Sequence, residues 1–509
     1  MATAYLTPGV YVEEVSSGPK PIEGVGTAVA AFLGVAEKGP IGKATLVTNW
    51  TQFTDTFGEF VPNAYLAHAV YAYFNNGGSV CFVVRIGKEE AVAPAAPALP
   101  ESAIANKAGG ATTLRAIAKA PSGAPVTVEV SEGPDDSFNL TIKAGTEEEK
   151  YEGLTFGRGP KNVVEATKGS KLATIEEVRV AGASIAERAP APGTYPLALP
   201  QVAALATAEA ASPEIYEGNT ADRTGLGGLE AIDQITMVAA PDIMAAYKLG
   251  ALDMDGVKAV QLAMIAHCER MGRVAIIDCP PNLKAQEILE WRSGVAGYDS
   301  KYAALYYPWV KVADPTPGAD STTMWMPPSA HLAGLWARSD SERGVHKAPA
   351  NEVLRGVLDI EVNVTSAEQG LLNPVGINCI RSFPNRGIRV WGARTLSSDP
   401  EWRYLNVRRL FNYVEKSIEN GTQWVVFEPN DFFLWSRVKR DISSFLTTVW
   451  RQGALFGRTP EEAFFVKCDE ENNPAATRDV GQLWIDIGIA PVKPAEFVIF
   501  RIGQFTPGA

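Results

Sequence analysis

The sequence has few of the residues on which covalent cross-linking, metal binding and catalysis depend. It contains only five cysteines and four histidines among 509 residues. The cysteines are odd in number and none is spaced as Cys-x-x-Cys, so we expect reduced core residues of a protein folded in a cytosol. Without paired cysteines or an HExxH motif, the sequence predicts no metal site.

Long hydrophobic runs and targeting signals are also missing. The longest apolar runs fall far short of the roughly 18 residues that a membrane-spanning helix needs, which argues against direct membrane insertion. Residues Met1–Val15 have neither a basic n-region nor an apolar core. We therefore expect no signal peptide and assembly in the cytoplasm.

Basic charge is scarce overall but locally concentrated. The chain has 46 Lys or Arg against 58 Asp or Glu, and this net charge of −12 argues against nucleic-acid binding. Between Asn373 and Arg458, however, 13 basic residues face 7 acidic ones, so this block carries +6 and the rest −18. Such a block indicates either a face that meets an acidic partner or an ordinary solvated helix face.

Residues 1–20 predict a strand followed by a tether. Val10, Val12 and Val15 alternate with other residues, and Ser16–Pro21 is small, polar and proline-containing. Such a strand can pair at an edge of its own subunit or with another subunit. The pattern leaves both open.

Strands and helices alternate over residues 21–90 and 205–350. With short connections, this order predicts an α/β domain with a mostly parallel, doubly wound sheet. The main predicted strands are Thr27–Val35, Val80–Ile86, Ile235–Ala240, Val274–Asp278 and Tyr302–Val312. The main predicted helices are Pro62–Asn76, Asp253–Met271, Asn282–Gly294 and Pro327–Arg338.

Residues 91–204 interrupt this alternation. Ala91–Pro100 holds five alanines and three prolines, and Ala189–Pro200 holds four prolines, so both predict stiff linkers. The segments Val126–Val130 and Phe138–Lys143 between them alternate as strands do. We predict a small β-rich domain inserted into the α/β domain.

Residues 351–488 predict an α+β domain. Ile377–Val390 contains a Pro-Asn-Arg-Gly turn and predicts a hairpin, Arg403–Asn420 a helix that Gly421 ends, and Trp424–Phe427 a buried strand. A second helix, Asp431–Gly453, buries an apolar stripe of Leu434, Val438, Ile442, Phe445 and Val449. Its polar side carries Arg437, Arg440, Asp441, Ser444, Thr448 and Arg451, and Lys439 lies beside them.

The last residues, 489–509, predict a terminal strand, Phe497–Ile502. Its neighbourhood also supplies part of a family resemblance. Asn373-Pro-Val-Gly-Ile-Asn378, Val390-Trp-Gly-Ala-Arg-Thr-Leu396 and Ala490-Pro-Val-Lys-Pro-Ala-Glu-Phe-Val498 resemble the C-terminal domain of contractile phage-tail sheath proteins. Trp402–Arg409, Gly453–Gly457 and Glu462–Phe464 fit the same pattern, and Pro8–Glu14 resembles the N-terminal signature of the family.

The resemblance implies a structural subunit of a phage tail, tailocin or contractile injection system. It implies stacked rings of six copies around an inner tube protein, with a baseplate and a terminal cap as further partners. It also implies that the α/β core corresponds to the subtilisin-like domain of the family and that the inserted domain lies on the outside of the assembly.

Two sets of residues follow from the resemblance and the patterns together. Strands at both chain ends would link neighbouring subunits, and they hold Val10, Tyr11, Val12, Glu13, Val15, Phe497, Val498, Ile499, Phe500 and Ile502. The basic side of Asp431–Gly453 would contact the inner tube through Arg437, Lys439, Arg440 and Arg451.

The alternative is a serine hydrolase on a subtilisin-like α/β fold. The subtilase signatures Asp-Thr-Gly, His-Gly-Thr and Gly-Thr-Ser-Met are absent, and so is a Gly-x-Ser-x-Gly elbow. Gly39–Ala44 resembles a phosphate loop, but Glu37 stands where its first glycine belongs and Ala44 replaces the metal-binding hydroxyl. We therefore predict a non-enzymatic protein with no catalytic residues and no cofactor.

Overall fold

A computed structural model of the chain describes residues 21–87, 101–107, 112–119, 126–134, 137–145, 147–157, 159–178, 189–197, 212–316 and 321–501. The described residues fall into two compact units, one from within 1–88 and 205–509 and one from within 89–204. The proposed linking residues Val10, Tyr11, Val12, Glu13, Val15 and Ile502 lie outside the described residues.

The strands of the described part are numbered in chain order. They are β1 Ala30–Gly34, β2 Ala44–Val47, β3 Cys81–Arg85, β4 Glu101–Ala105, β5 Thr112–Ala118, β6 Val126–Glu132, β7 Phe138–Ala144, β8 Glu147–Leu154, β9 Ala173–Glu177, β10 Gly193–Pro196, β11 Met237–Ala239, β12 Val274–Asp278, β13 Ala303–Tyr307, β14 Val310–Ala313, β15 Thr323–Met326, β16 Val357–Ile360, β17 Ile377–Phe383, β18 Gly387–Val390, β19 Phe464–Lys467 and β20 Asp486–Ile489.

The α-helices of the same part are numbered likewise. They are α1 Trp50–Phe57, α2 Leu66–Asn76, α3 Val163–Thr167, α4 Pro213–Glu217, α5 Gly225–Leu229, α6 Asp242–Lys248, α7 Met254–Met271, α8 Ala285–Glu290, α9 Ser329–Arg343, α10 Ser366–Leu372, α11 Leu405–Thr422, α12 Phe432–Arg451, α13 Pro460–Ala463 and α14 Ala475–Arg478.

An eight-stranded sheet forms the centre of the first unit, in the order β18-β17-β13-β12-β11-β1-β3-β2. The six inner strands run parallel, and β18 and β2 pair antiparallel at the two edges. Every residue of β1, β12 and β13 is buried, as continuous apolar strands covered on both faces should be. The predicted α/β class and the mostly parallel sheet are confirmed.

The predicted single strand Tyr302–Val312 is wrong. It is divided into β13, which lies in the large sheet, and β14, which lies in a separate sheet of order β15-β14-β16. Pro308 stands between them and has no N–H to donate to a strand ladder, so one continuous strand cannot pass through it. The sequence also placed the β17–β18 hairpin in the C-terminal domain, whereas in the structure it is one end of the large sheet.

A second hydrophobic cluster lies between α11, α12 and β19–β20. Asp431 caps α12 by accepting a hydrogen bond from the Leu434 backbone N–H at 2.9 Å. The predicted stripe of α12 is confirmed, because all five of its apolar residues are buried: Leu434, Val438, Ile442, Phe445 and Val449. Leu410 and Val414 of α11 pack in the same cluster.

The second unit has its own sheets and core. Its strands form one antiparallel sheet of order β10-β6-β7-β8 and another of order β4-β5-β9. The predicted strands at Val126–Val130 and Phe138–Lys143 are confirmed as β6 and β7. Alternate residues of these strands, including Val128, Leu140 and Ile142, fill a cluster that also contains Ile104 and Leu114.

A buried ion pair joins α11 to α9 within the first unit. Arg409 donates hydrogen bonds to both carboxylate oxygens of Asp340, at 2.8 and 2.5 Å, and the two side chains are only 4% and 5% exposed. The same guanidinium donates to the Thr27 carbonyl, and the Thr27 hydroxyl donates to Asp340. Three distant segments therefore meet at one fully satisfied charge pair.

We predict that Arg409→Ala destabilises the unassembled subunit by about 3–5 kcal/mol, because it leaves the Asp340 carboxylate buried without its partner. Arg451→Ala, at an exposed position of α12, should change stability by less than about 0.5 kcal/mol. Urea unfolding followed by circular dichroism measures both. Equal midpoints for the two variants would contradict the structural role given to the pair.

Candidate assembly surfaces

The exposed side of α12 carries a row of positive charge. Arg437, Lys439, Arg440 and Arg451 are all exposed, as the helical periodicity predicts. The Arg437 guanidinium lies 4.0 Å from the centre of the Trp424 ring, a cation–π contact that holds this side chain against the end of α11. The row is thus fixed at one end and open to solvent.

Asp441 departs from the prediction that it belongs to the exposed polar side. It is only 8% exposed and accepts a hydrogen bond from Arg440 Nε at 3.2 Å. Position 441 lies one turn from both Val438 and Phe445, so its side chain sits at the margin of the apolar stripe. Arg440 is therefore partly neutralised, and Arg437, Lys439 and Arg451 carry more of the available charge.

A hydrophobic surface, residues 426–433, comprises the loop before α12 and the first two residues of that helix, and the sequence did not anticipate it. The predicted strand Trp424–Phe427 is wrong, because α11 continues through Gly421 to Thr422 and a 3-10 turn follows over Gln423–Val425. Phe427 is fully exposed with a φ of 71°, an uncommon backbone conformation for a bulky residue. With Val426 of the loop and Phe432 and Phe433 of α12 also exposed, this hydrophobic surface has the character of an interaction surface.

A small sheet stands at the other end of the second cluster. β19 and β20 pair antiparallel from Phe464–Ile489 to Lys467–Asp486, and within the described residues neither has another strand partner. Two-stranded sheets are marginal in isolation, and unpaired strand edges offer main-chain donors and acceptors to further strands. This sheet is a suitable acceptor for a strand from elsewhere.

The described chain ends in a short exposed apolar stretch, Phe497–Phe500. Residues 492–501 contain neither helix nor strand, so the predicted strand at Phe497–Ile502 is not formed within the described chain. Phe497, Val498, Ile499 and Phe500 are 68% to 82% exposed. Residues with strong strand propensity need a partner strand before they adopt β structure, and in the described part of this subunit none is supplied.

The geometry does not assemble a serine triad in the described residues. Ser329 donates its hydroxyl hydrogen bond to Asp278 at 2.5 Å, not to a histidine. Burial raises the pKa of Asp278 to about 7. His267 instead lies 2.8 Å from Arg273, and burial together with this cation lowers the pKa of His267 to about 4. Asp278 is within hydrogen-bond reach of the Ser329 hydroxyl, but both side chains are buried and His267 is bonded elsewhere, so Ser329, His267 and Asp278 do not form a triad.

Metal-binding clusters and membrane-spanning helices are both missing from the described part of the chain. No group of three or more His, Cys, Asp or Glu side chains there is arranged to hold a metal ion. None of the helices there is long and apolar enough to cross a membrane.

Comparison with known families identifies the class to which this arrangement belongs. Residues 225–396 match the phage tail sheath protein central domain, and residues 397–505 match the phage tail sheath C-terminal domain. Together the two matches cover more than half of the chain, including the large sheet from β11 onward, α11, α12 and the terminal segment. The chain belongs to the phage tail sheath family.

Individual relatives agree with this assignment. The tail sheath protein of Burkholderia phage BcepMu is 25% identical over 525 residues, covering 98% of this chain and 97% of that protein. The tail sheath protein of Vibrio phage KVP40 is 30% identical over 178 residues, covering 34% of this chain and 26% of that protein. The present chain thus matches about a quarter of the KVP40 protein's length.

A solved structure is similar over nearly the whole chain. The helical sheath of the anti-feeding prophage in its contracted state has a subunit that is 27% identical, with a TM-score of 0.59. The similarity covers 99% of this chain and 100% of that subunit.

Proposed function

We propose that this protein is the structural subunit of a contractile tail sheath. It polymerises as stacked rings around an inner tube and contracts to drive that tube through a target envelope. The observation that carries the proposal is the family match over residues 225–505, in a chain whose fold resembles a helical sheath subunit from end to end. The particle is a phage tail or a contractile injection machine, assembled in the cytoplasm.

Subunits are joined in this proposal by exchange of terminal strands. The unpaired edges of β19–β20 and the exposed residues Phe497–Phe500 are complementary, because within the described residues one lacks further strand partners and the other lacks a sheet. Added strands gain main-chain hydrogen bonds at every contact. Since donor and acceptor are different surfaces of one subunit, the contact is heterologous and builds an open helical array.

The remaining partners follow from the family. An inner tube protein, a baseplate and a sheath cap contact the sheath, with six subunits in each ring. A lattice that is metastable when extended and stable when contracted stores the energy for the stroke, so no chemical catalysis is required. The Arg437, Lys439 and Arg451 side of α12 supports a contact with an acidic tube surface.

Deleting residues 1–18 should give folded, soluble subunits that do not form sheaths, because the N-terminal strand no longer reaches a neighbour. Circular dichroism checks the fold, and negative-stain electron microscopy after co-expression with the tube protein checks assembly. Sheaths of normal length from this deletion would refute the role of the N-terminal arm.

Replacing residues 91–204 by a short Gly-Ser connection should preserve both assembly and contraction. The second compact unit has its own core, and in the proposal it lies on the outside of the sheath, where it adds nothing to the lattice. Sheath length and the contracted fraction, counted by electron microscopy, provide the measurement. Loss of assembly in a replacement that still folds would place the second unit in the lattice instead.

Changing Arg437, Arg440 and Arg451 to Glu should shift the products from extended, tube-filled particles to contracted, tube-free sheaths. Exposed ion pairs contribute only about 0–1 kcal/mol each, but the contact repeats in every subunit of the extended array. The subunit should stay folded, because all three side chains are exposed. Electron microscopy of the purified particles measures the two populations.

The matched control changes Lys38, Lys43 and Lys284 to Glu, which alters the net charge equally at other exposed positions. It should leave extended particles in normal yield. If both triple variants give the same yield of extended particles, the α12 face does not hold the tube.

A further inference from the structure

One carboxylate gathers three separate segments just before the exposed terminal stretch. Glu496 Oε1 accepts hydrogen bonds from Arg394 Nε at 2.9 Å and Asn373 Nδ2 at 2.7 Å. Its Oε2 accepts from Arg394 Nη2 at 2.6 Å and from the Tyr404 hydroxyl at 3.1 Å. We call these four residues, Glu496, Arg394, Asn373 and Tyr404, the clasp.

The clasp is a bidentate charged contact that is largely shielded from water. The Arg394 side chain is 8% exposed and that of Glu496 is 19% exposed. Burial acts to raise the pKa of Glu496, but the hydrogen bonds from Arg394 and Asn373 outweigh burial and hold that pKa below its usual range. Because the two parallel hydrogen bonds join a planar guanidinium to a planar carboxylate, they fix the orientation of the Glu496 side chain as well as its distance from Arg394.

Arg394 is itself held rigidly at the large sheet. Its backbone N–H donates to Asn378 Oδ1 at 2.7 Å, and its Nη1 donates to the Asn373 carbonyl at 3.1 Å. Asn378 is a fully buried residue of β17, and its amide donates to the Leu305 carbonyl of β13. The clasp therefore connects Glu496 to two neighbouring strands in the interior of the fold.

The chain that leads to Glu496 crosses from the small sheet to the large one. Ala490 bonds through its backbone to Ala463 and Phe456 beside β19, and the Val492 carbonyl then accepts from Asn406 of α11. Glu496 comes next, at the large sheet, and the four exposed apolar residues follow directly. Residues 490–496 thus form a strap whose last fixed point is the clasp.

We propose that Glu496 is the anchoring residue of the C-terminal arm: it sets the point and direction from which Phe497–Phe500 leave the subunit. Tension on an arm engaged with a neighbouring subunit then reaches the large sheet through Arg394, instead of pulling β20 away from β19. This inference rests on the proposed sheath function, and it gives a role to residues in four segments that carried the family resemblance.

If the ion pair only stabilised the fold, its carboxylate could lie anywhere in the chain. What favours an anchor is position: the clasp is the last internal contact before an apolar segment that has no strand partner within the described residues. An exposed arm that is free to point anywhere loses more conformational entropy when it docks, whereas a fixed root lowers that loss.

The test compares four chains: the unmodified protein, Glu496→Gln, a chain that ends at Glu496, and Glu59→Gln. The last makes the same chemical change at an exposed glutamate. Hydrogen exchange on unassembled subunits should be faster by at least about tenfold at the Val492 and Glu496 amides in Glu496→Gln only. Elsewhere the exchange should match the unmodified protein.

Assembly provides the second measurement. We expect Glu496→Gln and the truncated chain to give few or short sheaths, and Glu59→Gln to give normal ones. Normal sheaths from Glu496→Gln together with none from the truncated chain would overturn the anchor but leave the arm intact. Normal sheaths from both would overturn C-terminal strand exchange itself.

If Glu496→Gln does not fold, Tyr404→Phe replaces it in both measurements. This variant removes only the hydroxyl donor to Oε2 and keeps the ring. A smaller but measurable increase in exchange at Val492 and Glu496, with shortened sheaths, is then expected. Unchanged exchange and unchanged sheath length would overturn the anchor.

Discussion

The contact between Arg409 and Asp340 is the constraint on which the arrangement of the first unit depends. It joins α11, α9 and the segment before β1, so the helical C-terminal part is fixed to the large sheet through a buried charge pair with no unpaired partner. The Arg409 guanidinium also lies 5.0 Å from the centre of the buried Trp336 ring. Separating these parts would leave two charges without solvent or partner, which is costly enough to keep them together as one body.

Burial of paired arginines also lowers the number of basic residues that the block Asn373–Arg458 exposes to a partner. Of its 13 basic residues, Arg394, Arg408 and Arg409 are buried and act internally. Arg408 donates to Glu415 at 3.0 Å and lies over the Trp402 and Tyr302 rings. Charge density along the sequence therefore overstates the charge offered to a partner, and the surface contribution comes mainly from α12.

Hydrophobic periodicity correctly predicted the elements whose structure follows from their own local sequence. β12 has the predicted bounds, and α12 begins within one residue of the predicted start and has the predicted apolar stripe. The errors occur where a short apolar run suits more than one structure. Tyr302–Val312 looks like one strand although Pro308 divides it between sheets, and Trp424–Phe427 looks buried although it ends a helix and begins an exposed loop.

The candidate assembly surfaces were predictable to different degrees for the same reason. The basic side of α12 follows from helical geometry alone, whereas Asp441, at the margin of the apolar stripe, is buried although the sequence assigns it to the polar side. The clasp could not be predicted, because its members are up to 123 residues apart in the chain and only the fold brings them together. The proposed strand pairing of Phe497–Phe500 would involve two subunits, so a single chain shows only its preconditions: apolar side chains, a hydrogen-bonded Glu496 and, within the described residues, an unpaired sheet edge.

The strong contacts inside the subunit and the weaker features exposed on its surface have complementary roles. A sheath subunit has to keep its fold while its neighbours move, so contacts within the subunit must resist forces that contacts between subunits transmit. In this chain the strong, buried, fully hydrogen-bonded pairs Arg409–Asp340 and Arg394–Glu496 are internal. The exposed features are apolar side chains, open strand edges and single charges, each of which can form and break contacts at modest cost. In the proposed sheath, that division would let the first unit keep its fold while the lattice around it rearranges.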